Sequence, residues 1–312
     1  MLPGVAGACY IGGMCAAPPD ATPWTVTRLL TWTREHFQRQ GLESPRLSAE
    51  ILLAHALGCE RIHLYTRFEQ VPDDDALGRF RALVKQAATG RPIAYLTGVK
   101  EFFSLPLEVT PDVLIPRPET EVLVERAIDL VRKQGPPQAA ILDLGTGSGC
   151  IAVSLARNLP QARVFASDVS AAALGVARRN AERHGVVARI ELRGGHLFEP
   201  WRAPMADGST ASFDLVVSNP PYVREGDPNL ARNVRDFEPQ VALFAGENGL
   251  AVIRALAAEA GRWLRPGGHL LMEVAYDQAP AVRDLLAGRD WQAIVTYRDP
   301  AGHERVVHAR RP

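Results

Sequence analysis

"AAILDLGTGSGCIAVSLARNL", residues 139–159, runs from an apolar stretch through a turn with glycine at alternate positions into an apolar stripe with helical spacing. Residues 139–144 are too few for a helix and carry apolar side chains toward both faces, which predicts a strand covered on both sides. Residues 150–159 predict the helix that covers it. The unit recurs downstream. Strands are predicted at "ARVFAS" (162–167), "ARIELR" (188–193), "FDLVVS" (213–218) and "HLLMEVA" (269–275), with two closing strands near "WQAIVTY" (291–297) and "RVVHA" (305–309). Helical patterns separate them at 170–185, 249–264 and 277–288. Apolar strands alternating with amphipathic helices predict an α/β, Rossmann-like fold, a mostly parallel sheet with helices on both faces.

Upstream the pattern changes. "TVTRLLTWTREHFQRQG" (25–41), "SPRLSAEILLAHALG" (44–58) and "PDDDALGRFRALVKQAATG" (72–90) each have helical periodicity and end on glycine. Ser44 is expected to cap the second helix and Pro45 to begin it. Residues 24–91 therefore predict a small helical domain without a catalytic constellation. Residues 92–116 alternate around a turn glycine and predict a β-hairpin connector, and residues 117–312 form the α/β domain. Residues 1–23, rich in glycine, alanine and proline, predict a disordered extension; they lack the basic lead and unbroken apolar core of a signal peptide.

Lysine plus arginine matches aspartate plus glutamate, 35 against 35, so the chain lacks the basic surplus of a protein that lives on nucleic-acid phosphates. The four cysteines and eight histidines are dispersed without metal-site spacing. No apolar run approaches the roughly 20 residues of a membrane span. Reduced thiols, a cytoplasmic location, no metal and no membrane are the expectations.

In such sheets ligands sit at the carboxyl ends of the strands. The loop Gly145, Thr146, Gly147, Ser148, Gly149 follows the first strand, and its spacing is GxGxG rather than the GxGxxG of dinucleotide binders. Asp143 just before it would repel a pyrophosphate but welcome an ammonium group. S-adenosylmethionine has an amino-acid end and no phosphate. Asp168 follows the second strand, where an acid accepts hydrogen bonds from ribose hydroxyls; the alternative is a cap for the next helix, shared with Ser170. "SNPPYV" (218–223) ends a buried strand with two prolines that remove two donors and fix two φ angles. Such a loop is stiff, and it holds the side chain of Asn219 in a set orientation.

Glycine loop, Asp168 and "NPPY" together resemble a class I methyltransferase acting on a planar amino nitrogen. The segments at 44–58, 94–121 and 237–250 extend this to the release factor glutamine methyltransferase family, from about residue 26 to the C-terminus. The resemblance implies S-adenosylmethionine as methyl donor, leaving S-adenosylhomocysteine. It implies class I peptide-chain release factors as protein substrate, methylated on the glutamine of their GGQ motif, and a docking role for the helical domain. Direct nucleic-acid binding is not expected.

Chemistry then suggests roles. An amide nitrogen is a poor nucleophile because its lone pair is delocalised. Asn219 Oδ1 and the Pro220 carbonyl could each accept one amide N–H, with Pro221 stiffening the loop and Tyr222 packing flat on the amide. Cofactor contacts are expected from the glycine loop, Asp168, Asn219, and the pair His196 and Leu197 beside the adenine. The family usually has an acid where His196 stands; a neutral imidazole can still accept through one nitrogen. Glu238 and Pro239 are weaker candidates for direct contact. Other readings are a glutamine methyltransferase for a ribosomal protein, a DNA amino-methyltransferase, and a silent binding module.

Overall fold

The Thr25 hydroxyl accepts a hydrogen bond from the Arg28 N–H at 3.3 Å and starts α1 (Val26–Arg39). This computed structural model describes residues 23–205 and 208–312, so the expected extension lies outside the described residues except for Pro23. The chain divides into a unit ending at Thr97 and a unit Gly98–Pro312.

In the first unit α1 is followed by α2 (Pro45–Leu57), α3 (Arg61–Thr66), α4 (Asp74–Ala88) and α5 (Ile93–Thr97). Asp73 caps α4 through the Ala76 N–H at 2.7 Å, and acids fill its first turn where the helix dipole favours them. Ser44 departs from expectation. It stands at φ 48° with no side-chain capping bond, and Pro45 alone sets the start of α2. Helices α3 and α5 have no counterpart in the sequence reading, because six and five residues are too few to show periodicity. Ile93–Thr97 thus form a helical turn within a segment read as strand. Leu29, Phe37, Leu52, Leu53 and Phe80 fill the core between these helices.

The second unit opens with an antiparallel hairpin, β1 (Val99–Phe102) and β2 (Leu105–Glu108). Then come α6 (Thr120–Gln134), β3 (Ala140–Leu144), α7 (Cys150–Asn158), β4 (Arg163–Asp168), α8 (Ala171–Arg183), β5 (Ile190–Gly194), β6 (Phe213–Ser218), α9 (Arg232–Phe237), α10 (Ala251–Trp263), β7 (Leu264–Glu273), α11 (Ala279–Ala287), β8 (Gln292–Arg298) and β9 (Glu304–Arg310). The seven-stranded sheet has order β5-β4-β3-β6-β7-β9-β8. Its first five strands are parallel; β9 is antiparallel to both β7 and β8.

Strand period decides the cores. Ile141, Val164, Ala166, Leu215 and Val217 face α6 and α7, whose Leu123, Ala127, Ile151 and Leu155 bury against them. Leu142, Leu144, Phe165, Val216, Leu270 and Met272 face the other way, onto Ile253, Leu256 and Ala260 of α10 and Val282 and Leu286 of α11. Between β6 and β7 the alternation slips, at the register shift between Phe213 and Leu215. That slip lets Phe213 join Phe165 and Trp201 in an edge-to-face cluster with centroids 5.4 to 5.9 Å apart.

Two histidines sit in the β7–β9 ladder. His269 Nδ1 and His308 Nε2 are 3.0 Å apart and buried, so one ring donates and the other accepts. Burial and the neighbouring His269 push the His308 pKa down to about 4, and burial with Arg310 lowers that of His269. Both rings are therefore neutral in the folded protein at pH 7, while the unfolded chain takes up their protons already near 6.5. Their contribution to stability is present above pH 6.5 and is lost as pH falls toward 4. Thermal melts should show a steeper loss of Tm over this interval in the native protein than in His308→Gln; equal slopes would remove the pair as a source of acid sensitivity.

Candidate active site

The sheet's strand order reverses about β3, whose neighbours β4 and β6 carry their loops to the same edge. A cleft of about 270 Å³ opens at these carboxyl ends, the place where open α/β sheets bind ligands. Gly145, Gly147, Asp168, His196, Leu197, Asn219 and Pro221 line it. Residues from four strand ends the sequence had kept apart thus meet in one cavity.

The glycine loop is shaped from below and behind. Gly145 and Gly147 stand at φ 72° and 54°, and a side chain on either would project into open space. Glycine is required there for the backbone angle, and the space beside the loop is left for a ligand. Asp143 lies under the loop, fully buried, its Oδ2 accepting the Thr146 hydroxyl at 2.6 Å. Its Oδ1 is buried without a hydrogen-bond partner, and burial raises its pKa to about 7. A cationic group over the loop would return this carboxyl to its ionised form, so the site fits the ammonium end of S-adenosylmethionine. Thr146 and Ser148 are buried, with their side chains off the cleft wall. Asn180 of α8 was missed by sequence reasoning. It donates to Ser148 O at 2.8 Å and to Glu108 O at 2.9 Å and accepts from Glu108 N at 2.7 Å. One buried amide therefore pins the loop to the hairpin.

Asp168 organises the backbone around it. Its Oδ2 accepts the Gly147 N–H at 2.8 Å and its Oδ1 the Ser170 N–H at 2.9 Å. The capping of α8 itself falls to Ser170, which accepts from Ala173 N at 3.1 Å. Each carboxylate oxygen keeps a lone pair for ribose hydroxyls. Asp168→Ala should raise the S-adenosylmethionine Kd by about 10- to 100-fold, the worth of a hydrogen bond or two to a charged acceptor, and loosen Gly147 as well. Calorimetric titration of a folded mutant with unchanged affinity would take Asp168 out of the site.

On the next wall His196 is exposed and Leu197 stands at φ 46°, its carbonyl held by the Ser167 hydroxyl at 3.2 Å. Sequence reasoning missed Val169, Asp112, Val113, Leu114 and Val241, which also line the cleft. The only signal for Val169 in the sequence was its place directly after a candidate ribose acid; its exposure came with the fold. Glu238 does not reach the cleft. Its buried carboxylate accepts the Ile115 N–H at 3.1 Å and pairs with Arg117, while Pro239 lines the wall. Glu238 therefore ties the loop before α6 to the loop after α9.

Asn219 borders the cleft with its side-chain nitrogen directed to the Thr120 hydroxyl at 3.1 Å. The oxygen is left for a ligand. Pro220 is buried, and Tyr222 is not among the lining residues. Its ring packs into the core below, its hydroxyl donates to Glu273 Oε1 at 3.2 Å, and its carbonyl accepts from Gln278 Nε2 at 3.0 Å. Tyr222 braces the loop from behind rather than covering the cleft.

A sheet of this order, with glycine loop, acid at the end of β4 and NPPY after β6 around one cleft, defines a class I methyltransferase that uses S-adenosylmethionine. Residues 28–98 match the family description "PrmC N-terminal domain", and residues 120–235 match "Methyltransferase small domain". The release factor glutamine methyltransferase of Rhodopirellula baltica is 42% identical over 95% of this chain and 99% of its own. That of Burkholderia pseudomallei is 48% identical over 85% of this chain and 92% of its own. A solved protein-(glutamine-N5) methyltransferase, described as release factor-specific, from Alicyclobacillus acidocaldarius is 31% identical, covering 66% of this chain and 99% of that one with a TM-score of 0.38. The chain belongs to the release factor glutamine methyltransferase family.

Proposed function

We propose that the chain transfers the methyl group of S-adenosylmethionine to the side-chain amide nitrogen, N5, of the GGQ glutamine in class I peptide-chain release factors. The observation that carries this reading is Asn219 on the cleft wall, its nitrogen engaged by Thr120 and its oxygen free to accept. The cofactor supplies an electrophilic methyl on a sulfonium. The chain supplies geometry. Asn219 Oδ1 and the Pro220 carbonyl each accept one N–H of the glutamine amide, which turns the nitrogen toward the methyl and stabilises positive charge as it grows there. The prolines keep both acceptors from relaxing, and the glycine loop with Asp168, His196 and Leu197 holds the cofactor.

The helical unit serves in this reading to dock the release factor. In this reading Ile62 and Phe68, large apolar side chains of this unit at 60% and 52% exposed, are the contacts. Ile62→Ser with Phe68→Ser should raise KM for the intact factor about 10-fold, consistent with losing two apolar contacts, with cofactor affinity unchanged. An unaltered KM would place docking elsewhere. No described helix is long and apolar enough to cross a membrane, and among the described residues no cluster of His, Cys, Asp and Glu could hold a metal. Action on release factors places the enzyme in the cytoplasm in this reading.

The direct test incubates the protein with labelled S-adenosylmethionine and purified class I release factor and maps the product by mass spectrometry. A methyl on the GGQ glutamine is expected. Preferential labelling of a ribosomal-protein glutamine or of a DNA base would overturn the proposal.

A further inference from the structure

The helical unit buries a carboxylate for which the methyl transfer has no use. Glu50 of α2 is 3% exposed. Its Oε1 accepts the Arg46 Nε–H at 2.8 Å and also the Tyr65 hydroxyl, and its Oε2 accepts from Arg61 Nη2 at 2.7 Å. The Tyr65 oxygen accepts in turn from Arg46 Nη2 at 2.9 Å. Burial works against the charge, but the hydrogen bonds from Tyr65, Arg61 and Arg46 outweigh it and hold the Glu50 pKa down to about 2. The cluster is therefore ionised, two guanidinium groups to one carboxylate.

An apolar side chain in this place would pack α2 onto α3 at lower cost. What the carboxylate adds is direction. The Arg46 and Arg61 side chains are 71% and 50% exposed, yet both are tethered to Glu50. Among the described residues, Arg46 Nη1 and Arg61 Nε and Nη1 have no hydrogen-bond partner. Donors already held in place lose less freedom on binding than free arginines do, which favours arginine as a strong interface contact.

The surroundings say what these donors meet. Two open hollows, of about 320 and 280 Å³, share Arg46, Glu50 and Tyr65 as a common wall. Pro45 and Leu47 line the first, and Leu30, Leu64 and Phe68 line the second. An acidic side chain seated at the wall has an apolar hollow on either side for its neighbours. Glu43, Glu60 and Glu69 are exposed in the same stretch of chain, and Arg34 of the second hollow lies 3.9 Å from Glu35. The positive charge is thus local, a fit for a single carboxylate and not for a run of phosphates.

We propose that Arg46 and Arg61, held by Glu50 and Tyr65, grip a carboxylate of the release factor, on a segment whose flanking apolar side chains enter the two hollows. The proposal rests on the reading that the helical unit docks the release factor, and it gives that docking a charge specificity.

The test measures the Kd of intact class I release factor, with S-adenosylhomocysteine bound, alongside kcat and Tm. Arg46→Ala and Arg61→Ala should each raise Kd about 10-fold, the scale of an arginine hot spot. Their kcat at saturating factor and their cofactor affinity should stay within about twofold of native. The native Kd should also rise more steeply with salt than that of either variant. Glu50→Gln is the sharper case. It makes the cluster more positive but frees both arginines, so Kd should rise about 3- to 10-fold, whereas attraction by net charge alone would lower it. A lysine scan of the factor's exposed acids should find a position at which Arg61→Glu binds the altered factor more tightly than the native enzyme does. Native Kd in both alanine variants, a lower Kd in Glu50→Gln, or no rescuing lysine would each overturn the grip. So would alanine variants that lose binding of single-stranded RNA while keeping the factor's Kd. Should Glu50→Gln not fold, native Kd in Tyr65→Phe, which removes one tether of Arg46, overturns it equally. Ile62→Ser with Phe68→Ser separates the two claims. If that pair and both alanine variants keep native Kd, the unit does not dock the factor; if only the alanine variants do, docking stands and the grip falls.

Discussion

Replacing Asn219 by alanine is expected to lower kcat by about 10²- to 10³-fold, the range seen when one preorganised group facing developing charge is removed. The side chain lies on the cleft wall and has its nitrogen engaged, so the oxygen is what alanine deletes. That acceptor matters more as charge grows on the substrate nitrogen than in the ground state, so the loss belongs in kcat. With the cofactor contacts proposed above assigned to the glycine loop and Asp168, its affinity should change by less than a few-fold. Asn219→Asp is the sharper comparison. It keeps an oxygen toward the cleft but puts a second one, sharing the charge, against the Thr120 hydroxyl. Activity between alanine and native is expected. Near-native kcat in the alanine variant, measured by single-turnover methylation, would end the two-acceptor account.

Gly249→Ala should cost about 10²-fold in kcat without touching the cleft. Gly249 stands at φ +68°, and a Cβ there would fall well inside contact distance of the Tyr222 carbonyl oxygen and 2.8 Å from Gln278 Nε2. Gln278 donates to that same carbonyl at 3.0 Å. The added carbon therefore pushes on the backbone of the NPPY loop and on the amide that holds it. A displacement near 1 Å at positioning groups can cost on the order of 10²-fold in rate. Stability should fall too, by roughly 1–3 kcal/mol for the strained angle and the lost hydrogen bond. Gly246→Ala is the control, since it has φ +75° but meets only the Ala251 methyl, at 3.8 Å. Equal kcat for the two variants would mean that loop position does not govern rate.

Much of this site was legible in the one-dimensional pattern. The strand and helix periods of residues 139–312, the glycine spacing, Asp168 and NPPY are local features, because a buried strand, a positive-φ turn and a rigid double proline are each specified by neighbours in the chain. Short helices such as α3, α5 and α9 were not legible, since one or two turns carry too little period and form only against a packed surface.

What lies between distant segments had to wait for the fold. The sequence by itself determined the α/β class, the edge of the sheet where the marked loops converge, and several of the side chains that line the cleft there. Only the tertiary structure decided that Asp168 clamps Gly147, that Glu238 bridges two loops instead of lining the cleft, and that Tyr222 turns inward to Glu273. It also decided that β9 enters antiparallel beside β7. Each of these is a choice of partner for a buried polar or apolar group. Several partners are compatible with any one residue type, and the choice is made when distant elements pack together and every buried donor and acceptor competes for what remains within reach.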